Sequence, residues 1–410
     1  MALSSALFGI LFLFLIFIFS VFIASRFFAR KYRSFKPKVS IVVPAYNEGK
    51  NIKECLDSVY GLDYPKEKIE VMIVDDGSTD NTLKILQKYK KNKKLNFNVL
   101  RQNHLGKVEA LNLGIRKSSS EFVLTVDADT VLDKDCLAEL LKPLFDRKIG
   151  ATTGNNNVKN NKHLICAFQN IEYHFSNLIR NSFSTVFDNG IWFSGSLACY
   201  RKSVLEEIGY FKKDTLAEDQ DVALELKKSG YKALNVPTAF AYTLVPQKVK
   251  ELYKQRSRWW IGTLQSIVKN KSLFSRKSSP SIIFLYINQF WWSIYAFLSL
   301  PLIIYQVNYW MPYNSHSLYD IVMYLFRWFT LYGTFFVIYM IPKWGMAYYT
   351  LFAILSGLIS VFMIVCSILM WKDKSKVRNA FAIFFYFPYT LLLNAIVTIS
   401  MLKLIVRQKC

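Results

Sequence analysis

Acidic and polar side chains follow three short apolar runs in the first third of the chain. The runs lie at 39–43, 69–74 and 121–126. The polar side chains that follow them are Tyr46, Asn47 and Glu48, then Asp75 and Asp76, then Asp127 and Asp129. Crowded carboxylates repel one another, so this pattern needs a compensating cation. Carboxylate oxygens are ligands for Mg²⁺ or Mn²⁺, and such a metal usually keeps waters and binds substrate phosphates. The pattern therefore indicates a site for a nucleoside diphosphate and a divalent metal.

The stretch Asp127-Ala128-Asp129 is the most specific of these signals. Alternate residues of an extended chain point the same way, so one carboxylate or both can reach a metal. The stretch after 74 is weaker by itself, because Asp and Gly are ordinary turn residues. It becomes significant as a functional signal because carboxylates follow each of the successive runs.

The elements that must position these side chains read as an α/β domain. The three runs and a fourth at 97–100 are rich in β-branched residues, and helical patterns at 51–60, 81–91 and 107–117 lie between them. Thr79 or Asp80 could cap the second of these helices. This alternation predicts βαβ units and a parallel sheet. In such sheets ligands bind beyond the carboxyl ends of the strands.

The composition excludes a plain soluble globule and a purely membranous protein. The 410 residues are 52% hydrophobic and 16% aromatic, with a net charge of +23. This charge suits nucleic acid, an anionic membrane surface or a phosphorylated substrate. Much of the positive charge lies beside apolar runs. There, anionic lipid is a simpler partner than nucleic acid. The six cysteines form no C-x-x-C pair and are interpreted as reduced thiols.

Several apolar stretches are long enough for membrane spans. Ser5–Ala24 is followed by basic residues, which predicts a retained anchor whose flank faces the cytoplasm. Four further candidates lie at 282–305, 320–342, 347–370 and 380–404. With five spans the loop at 371–379 would face outward although it carries four basic residues, so either the charge rule fails there or one stretch is re-entrant. Polar residues inside these stretches are candidates for a pore lining. They are Arg327 in the second C-terminal stretch and Asn288 and Gln289 in the first. For the first stretch the alternative is an aromatic belt at the membrane surface.

Five motifs stand in order along the chain: VPAYNE (43–48), VDDGSTD (74–80), DAD (127–129), FSGSLACYR (193–201) with AED (217–219), and QRSRW (255–259). With these motifs the chain resembles the membrane-bound family 2 glycosyltransferases, the group that contains cellulose, hyaluronan and poly-N-acetylglucosamine synthases. GATTGNNNV (150–158) is most similar to the hyaluronan and poly-N-acetylglucosamine branch. Ala217 stands where Thr is frequent in the family, but the carboxylates beside it remain.

The resemblance implies a Rossmann-like GT-A nucleotide-sugar domain of α/β class and an α-helical transmembrane region. The implied domains are an N-terminal transmembrane anchor at 1–25, a cytoplasmic GT-A domain at 36–245, an amphipathic interface helix with the QxxRW motif at 246–275, and about four transmembrane helices at 280–405. The protein is thus expected to be a multi-pass integral protein of the cell membrane.

The implied reaction is the inverting, metal-dependent transfer of a sugar from a UDP-sugar to a growing polysaccharide, processive and with export. The branch resemblance favours UDP-N-acetylglucosamine. One alternative is single addition to a polyprenyl phosphate or another lipid, and another is a membrane scaffold with an inactive domain. The expected partners are the UDP-sugar, a polysaccharide or lipid-linked acceptor and membrane lipids, with room for a small accessory subunit and no nucleic acid.

The resemblance also assigns roles to individual residues. The donor site is Tyr46, Glu48, Asp75, Asp76, Lys107, Asp127, Gln255 and Arg258. The acceptor site is Gly195, Ser196 and Trp259, and the metal ligands for Mg²⁺ or Mn²⁺ are Asp127 and Asp129. Asp219 is the expected general base, with Glu218 as the alternative, and Asp221 is interpreted as a helix-start residue. Within QRSRWW, Arg256 and Trp260 are expected to contact the membrane surface.

Overall fold

The structure, a computed structural model, describes residues 2–28, 30–91, 96–309, 311–312, 317–345, 348–370 and 376–407. It consists of an α/β domain with one sheet and a set of long apolar helices. The strands are β1 (Val39–Ala45), β2 (Ile69–Asp75), β3 (Asn96–Arg101), β4 (Phe122–Val126), β5 (Val131–Leu132), β6 (Ile149–Val158), β7 (Leu197–Arg201) and β8 (Lys232–Thr243).

The helices of the α/β domain alternate with its strands. They are α2 (Ile52–Tyr60), α3 (Thr82–Lys90), α4 (Lys107–Lys117), α5 (Cys136–Leu141), α6 (Leu164–Phe187), α7 (Lys202–Glu207) and α8 (Glu218–Lys228). The remaining helices are α1 (Ala2–Ser25), α9 (Val249–Lys269), α10 (Pro280–Tyr309), α11 (Leu318–Phe329), α12 (Tyr332–Trp344), α13 (Tyr348–Met370), α14 (Lys376–Phe384) and α15 (Tyr386–Arg407).

The sheet runs in the order β3-β2-β1-β4-β7-β6-β8-β5. Its first four strands are parallel, as the alternation of runs and helices predicts. Among them β1, β2 and β4 are buried, mostly apolar strands, whereas the edge strand β3 is partly exposed. Beyond β4 the sheet is mixed, since β7 pairs antiparallel with both β4 and β6. The predicted parallel arrangement is confirmed for the four runs on which it rested, and the mixed half is built from strands outside those runs.

The strand register brings the predicted polar segments to one edge of the sheet. Ala45 at the end of β1 pairs with Asp75 at the end of β2, and Val42 of β1 pairs with Thr125 of β4. The segments after β1, β2 and β4 therefore leave the sheet side by side. The predicted juxtaposition of the three polar segments is confirmed by this register.

Helix α6 joins the sheet to the apolar helices, and the sequence motifs did not point to it. Its polar face reaches β6, where Asn177 donates to the carbonyl of Asn156 at 3.1 Å and Asn181 donates to the side chain of Asn155 at 2.8 Å. Its apolar face packs on α1, where Phe183 meets Phe17 edge to face. A helix buried on two faces in this way is a rigid connection between the α/β domain and α1.

Within the part of the chain that the structure describes, two helices are long and apolar enough to cross a bilayer, Pro280–Tyr305 and Tyr386–Val406. The pair Leu318–Phe329 and Tyr332–Lys343 is bent by 105° and would add a third span if it counts as one. Shorter apolar helices cover Gly9–Ser25 and Ile354–Met370. The count of five spans stays an expectation, and Lys372 and Lys374 of the basic loop lie outside the described residues.

The polar residues within the apolar stretches have partners inside the protein. Gln289 donates to the carbonyl of Trp260 at 3.4 Å and is almost fully buried, as is Asn288. The guanidinium of Arg327 lies 3.9 Å from the ring centroid of Phe336. Gln289 thus connects α10 to α9, and the pore lining stays an expectation.

Candidate active site

The segment after β1 and the loop after β3 bring two aromatic rings together at the sheet edge. Tyr46 is partly exposed and stacks on the His104 ring, with centroids 3.9 Å apart and planes 26° from parallel. Asn47, at φ 56°, accepts from the backbone N–H of Thr79 at 2.8 Å, which holds this segment against the loop after β2. An exposed ring pair of this kind offers a stacking surface for a planar ligand.

The two aspartates at the end of β2 hold the backbone around the site in place. Asp76 accepts from the backbone N–H groups of Leu105 at 2.7 Å and Gly106 at 3.0 Å. Asp75 is fully buried, accepts from the N–H of Ser78 at 3.2 Å and pairs with Arg101 at 3.4 Å. Asp75 thus lies at the predicted site, but it has no exposed surface for a ligand. Its role there is to hold the neighbouring backbone and Arg101 in place.

Lys107 is the centre of the charge arrangement. Its ammonium lies 2.8 Å from Asp127 Oδ1 and 3.2 Å from Glu218 Oε1. Burial opposes its charge, but Asp127 and Glu218 outweigh burial and raise the pKa of Lys107. Lys107 is also the first residue of α4, whose N-terminus adds positive potential. The two carboxylates keep the lysine charged, at a point where the DAD and AED motifs meet.

The DAD stretch carries an excess of negative charge. Burial, followed by the charges of Asp127 and Glu48, raises the pKa of Asp129 to about 6. Burial, opposed by the Asn51 side chain and helped by Asp127, likewise raises the pKa of Glu48. Among the described residues, no group of three or more His, Cys, Asp or Glu side chains could hold a metal. Asp127 and Asp129 fit a divalent cation as part of its coordination shell, completed by substrate phosphates and water.

The loop before β7 lies against the start of α8. The N–H of Gly195 donates to Asp219 Oδ2 at 2.8 Å, and the N–H of Phe193 donates to the side chain of Gln220 at 2.9 Å. Asn156 of β6 donates to the hydroxyls of Ser194 at 2.7 Å and Ser196 at 2.8 Å. These bonds fix the loop to both the sheet and the helix, so the predicted acceptor residues sit beside the predicted base.

Asp219 has the environment of a carboxylate that holds a proton readily. Burial and then the charge of Glu218 raise the pKa of Asp219, against the opposing effects of Lys107 and of the Gly195 N–H. Arg180 of α6 is buried nearby; burial lowers the pKa of Arg180 to about 10, while Asp219 raises it. A carboxylate with a raised pKa accepts a proton more readily near neutral pH.

Asp221 has a structural role, in keeping with its interpretation as a helix-start residue. It pairs with Lys269 at 2.6 Å and accepts from Asn270 at 3.1 Å. Both partners lie at the end of α9, so Asp221 ties α8 to that helix.

Helix α9 closes the site from the side of the apolar helices. Gly262 makes this approach close, because a Cβ there would lie 2.5 Å from the backbone nitrogen of Ala217. Arg258 is exposed and lies 3.5 Å from the carbonyl of Leu216, beside the AED segment. Trp259 is half-buried, with its ring 6.4 Å from that of Tyr173. Arg258 thus lies beside the start of α8, whereas Trp259 lies near Tyr173 of α6.

The expectation that Arg256 and Trp260 contact the membrane surface is wrong for Arg256. Arg256 is 7% exposed and forms an ion pair with Glu172 of α6 at 2.8 Å. Trp260 donates to the hydroxyl of Ser293 at 3.2 Å, so its polar edge faces α10. Burial of Arg256 follows from Glu172, a carboxylate 84 residues earlier in the chain.

Sequence reasoning missed several residues that shape the site. His104 lies in none of the five motifs, and Asn156 lies in the stretch at 150–158 that carries only the branch resemblance. Glu172 and Arg180 lie in a helix that none of the five motifs contains. A helical run with glutamine, asparagine, histidine and arginine on one face was the signal that could have found α6.

Taken together, the fold and the site define a GT-A-type α/β domain with carboxylates and a lysine clustered at one edge of its sheet. Residues 40–209 match the family model described as glycosyl transferase family 2. The chain is 33% identical over 240 residues to a poly-beta-1,6-N-acetyl-D-glucosamine synthase of Staphylococcus epidermidis, covering 57% of this chain and 56% of the relative. It is 34% identical over 234 residues to the enzyme of that name from Staphylococcus aureus strain COL, with the same coverage. The chain thus spans about half the length of these curated relatives.

A solved structure extends the fold likeness to the helical part. It is the mannosyltransferase PcManGT from Pyrobaculum calidifontis in complex with GDP-Man and Mn²⁺. The TM-score is 0.63 at 21% identity, over 98% of this chain and 96% of the other. The likeness shows that the α/β domain and the apolar helices form a known overall architecture.

Proposed function

We propose that this protein is a glycosyltransferase that moves a sugar from a UDP-sugar to a hydroxyl of a growing polysaccharide, with inversion at the anomeric carbon. The observation that carries the proposal is the position of Lys107 between Asp127 and Glu218, with Asp219 next along the chain. One pocket thereby brings together a cation for a diphosphate and a carboxylate base.

The site residues divide the work as follows. Tyr46, supported by His104, stacks on the uracil ring, and Asp76 shapes the loop around the nucleoside. Lys107 binds the diphosphate, and Arg258 adds a two-pronged donor from α9. A divalent metal held by Asp127 and Asp129 would neutralise charge on the β-phosphate as a Lewis acid.

Asp219 removes the proton from the acceptor hydroxyl. The hydroxyl oxygen then bonds to the anomeric carbon, while the bond from that carbon to the β-phosphate oxygen breaks and UDP leaves. The raised pKa of Asp219 favours proton acceptance, and the Gly195 N–H orients the carboxylate. Trp259 stacks on the acceptor sugar, and Ser196 lines the same side.

UDP-N-acetylglucosamine is the donor we propose, because the matched relatives are named as N-acetylglucosamine polymer synthases. We further propose that the protein is a multi-pass integral membrane protein of the cell membrane, with the α/β domain in the cytoplasm and the product exported between its apolar helices. The long apolar helices beside the site support this arrangement.

A second candidate is single addition of a sugar to a lipid acceptor such as a polyprenyl phosphate. An apolar groove between α1 and α10, lined by residues such as Leu13, Phe17 and Ile283, favours it because such a groove suits a lipid tail. A small accessory subunit is compatible with either candidate.

The decisive experiment is a product-length assay. Purified protein is incubated with a panel of radiolabelled UDP-sugars and Mn²⁺ or Mg²⁺, and the products are sized. Polymer from UDP-N-acetylglucosamine is the expected result. Lipid products with a single sugar would replace the first candidate by the second, and no UDP release with any donor would overturn both.

A further inference from the structure

Arg256 is a buried arginine in the middle of the QxxRW motif. Its Nε donates to Glu172 Oε1 at 2.9 Å, and its Nη2 donates to Glu172 Oε2 at 2.8 Å. This two-pronged pair fixes the plane of the guanidinium, which a lysine ammonium could not do. The orientation of Arg256 is therefore set by α6 and not by its own helix.

The same guanidinium contacts two residues of the proposed site. Its Nη1 donates to the side-chain oxygen of Gln255, and its carbon lies 4.5 Å from the ring centroid of Trp259. A cation over an indole face holds the ring in place by attraction to the π electrons. The position of Arg256 therefore sets the positions of Gln255 and Trp259.

Glu172 is itself held from both sides. The hydroxyl of Tyr389, on α15, donates to Glu172 Oε2, and the Tyr389 ring packs near Leu252 of α9. Tyr173, next to Glu172, has its ring centroid 5.7 Å from the Arg256 guanidinium carbon. The cluster therefore connects α6, α9 and α15.

We propose that Arg256 is a positioning residue for acceptor binding: its ion pair with Glu172 holds Trp259 and Gln255 in place, and Tyr389 ties this pair to α15. The inference rests on the proposed function, because it assigns Trp259 to the acceptor. It also makes the arrangement of the acceptor site depend on where α15 packs.

The test uses Arg256→Lys and Glu172→Gln in the full-length protein, with Lys254→Gln as the matched control. Lys254 is an exposed cation on the same helix. Transfer is measured with UDP-N-acetylglucosamine and a short N-acetylglucosamine oligosaccharide, varying each in turn. We expect both variants to raise the acceptor KM at least fivefold and the donor KM less than twofold, because Lys107 and Arg258 still hold the diphosphate. Lys254→Gln keeps both wild-type values.

The double variant Arg256→Lys/Glu172→Gln separates positioning from general stability. If the two residues act as one unit, the double variant has the acceptor KM of the worse single variant. Should Arg256→Lys fail to fold, Tyr389→Phe removes one hydrogen bond of the same cluster and is expected to raise the acceptor KM in the same direction.

The outcomes distinguish this inference from the proposed function. Active wild-type protein, together with unchanged acceptor KM in Arg256→Lys and Glu172→Gln, overturns the positioning role alone. A fall in melting temperature without any change in acceptor KM overturns it as well, because that is the signature of a purely structural pair. Wild-type protein that transfers no sugar overturns the proposed function and this inference with it.

Discussion

The backbone N–H of Gly195 lies 2.8 Å from Oδ2 of Asp219, and this distance leaves no room for a side chain at position 195. A Cβ there would stand 2.8 Å from the Cβ of Asp219. The glycine therefore permits the contact that orients the proposed base.

Gly195→Ala is expected to reduce transfer by about 100-fold, because displacing a reacting group by about 1 Å can cost that much. Gly61→Ala is the matched control, since its added Cβ would meet only backbone oxygens at 3.4 Å and its φ is −80°. Steady-state transfer rates check the prediction. Wild-type rates in Gly195→Ala would mean that the close approach has no part in catalysis.

Two adjacent carboxylates compete for the role of base. Glu218 pairs with Lys107 at 3.2 Å, whereas Asp219 faces the loop that carries the acceptor residues. We expect Asp219→Asn to lower kcat by about 10²–10⁴-fold, the usual contribution of a general base. Glu218→Gln should act more on the donor KM, and Asp214→Asn, an exposed neighbour, should act on neither. A larger kcat loss in Glu218→Gln would transfer the role of base to Glu218.

The negative charge around the DAD stretch predicts a requirement for a divalent cation. Asp127 and Asp129 lie close enough for each charge to disfavour the other, and a cation relieves this repulsion. Chelation should abolish transfer and added Mn²⁺ or Mg²⁺ should restore it. Asp129→Asn should weaken Mn²⁺ binding in the presence of UDP, as measured by calorimetry, while the exposed Asp135→Asn leaves it unchanged. Full activity after chelation would show that transfer does not require a metal.

The location of the site could be read from the sequence because it depends on local rules. Apolar runs that end in carboxylates predict strands and their carboxyl edge, and the register of β1 with β2 and β4 follows this pattern. The antiparallel pairing of β7 with β4 could not be predicted in this way. It joins segments about 75 residues apart, and no local sequence signal announces it.

The environment of Arg256 could not be read from the sequence for a related reason. A basic residue on an amphipathic helix next to an apolar stretch usually lies at the membrane surface. Here the carboxylate of Glu172 stabilises the charge inside the protein, and that contact exists only after α6 has packed on α9. Long-range ion pairs of this kind override the local pattern.

Lys227 of α8 predicts a pH dependence of stability. It is 8% exposed, its ammonium donates to the carbonyl of Gly190, and burial lowers the pKa of Lys227 to about 7. The unfolded chain keeps the ordinary value of about 10.4, so between these two values it binds more protons than the folded protein. Stability should therefore rise with pH across this window, with a slope of up to about 1.4 kcal/mol for each pH unit from this group.

Lys227→Met tests this slope against the exposed neighbour Lys228→Met. Melting temperatures of the detergent-solubilised protein are measured from pH 7 to pH 10. The rise with pH should be smaller in Lys227→Met than in wild type, and Lys228→Met should retain the wild-type rise. Equal slopes in all three proteins would show that Lys227 stays charged in the folded state.

The directions of the apolar helices predict the side on which the basic loop at 371–379 lies. Helices α1 and α13 run parallel, since Phe12 stacks on Phe352 and Phe19 meets Phe362 further along both helices. Helix α10 runs antiparallel to α1, because Phe17 meets Phe284 and Phe14 stacks on the later residue Trp291. Between α10 and α13 lies the pair that bends by 105°.

If the bent pair crossed the membrane, α13 would run antiparallel to α1. The observed parallel direction therefore predicts that the pair enters and leaves on one side. The end of α13, where Met370 lies 3.9 Å from Arg26, would then be on the side of the α/β domain, and the basic residues that follow would satisfy the positive-inside rule. Met370→Cys should then react with an impermeant maleimide only from the cytoplasmic side, and Leu318→Cys only from the outside. Labelling of Met370→Cys from the outside would restore the crossing of the bent pair and the five-span arrangement.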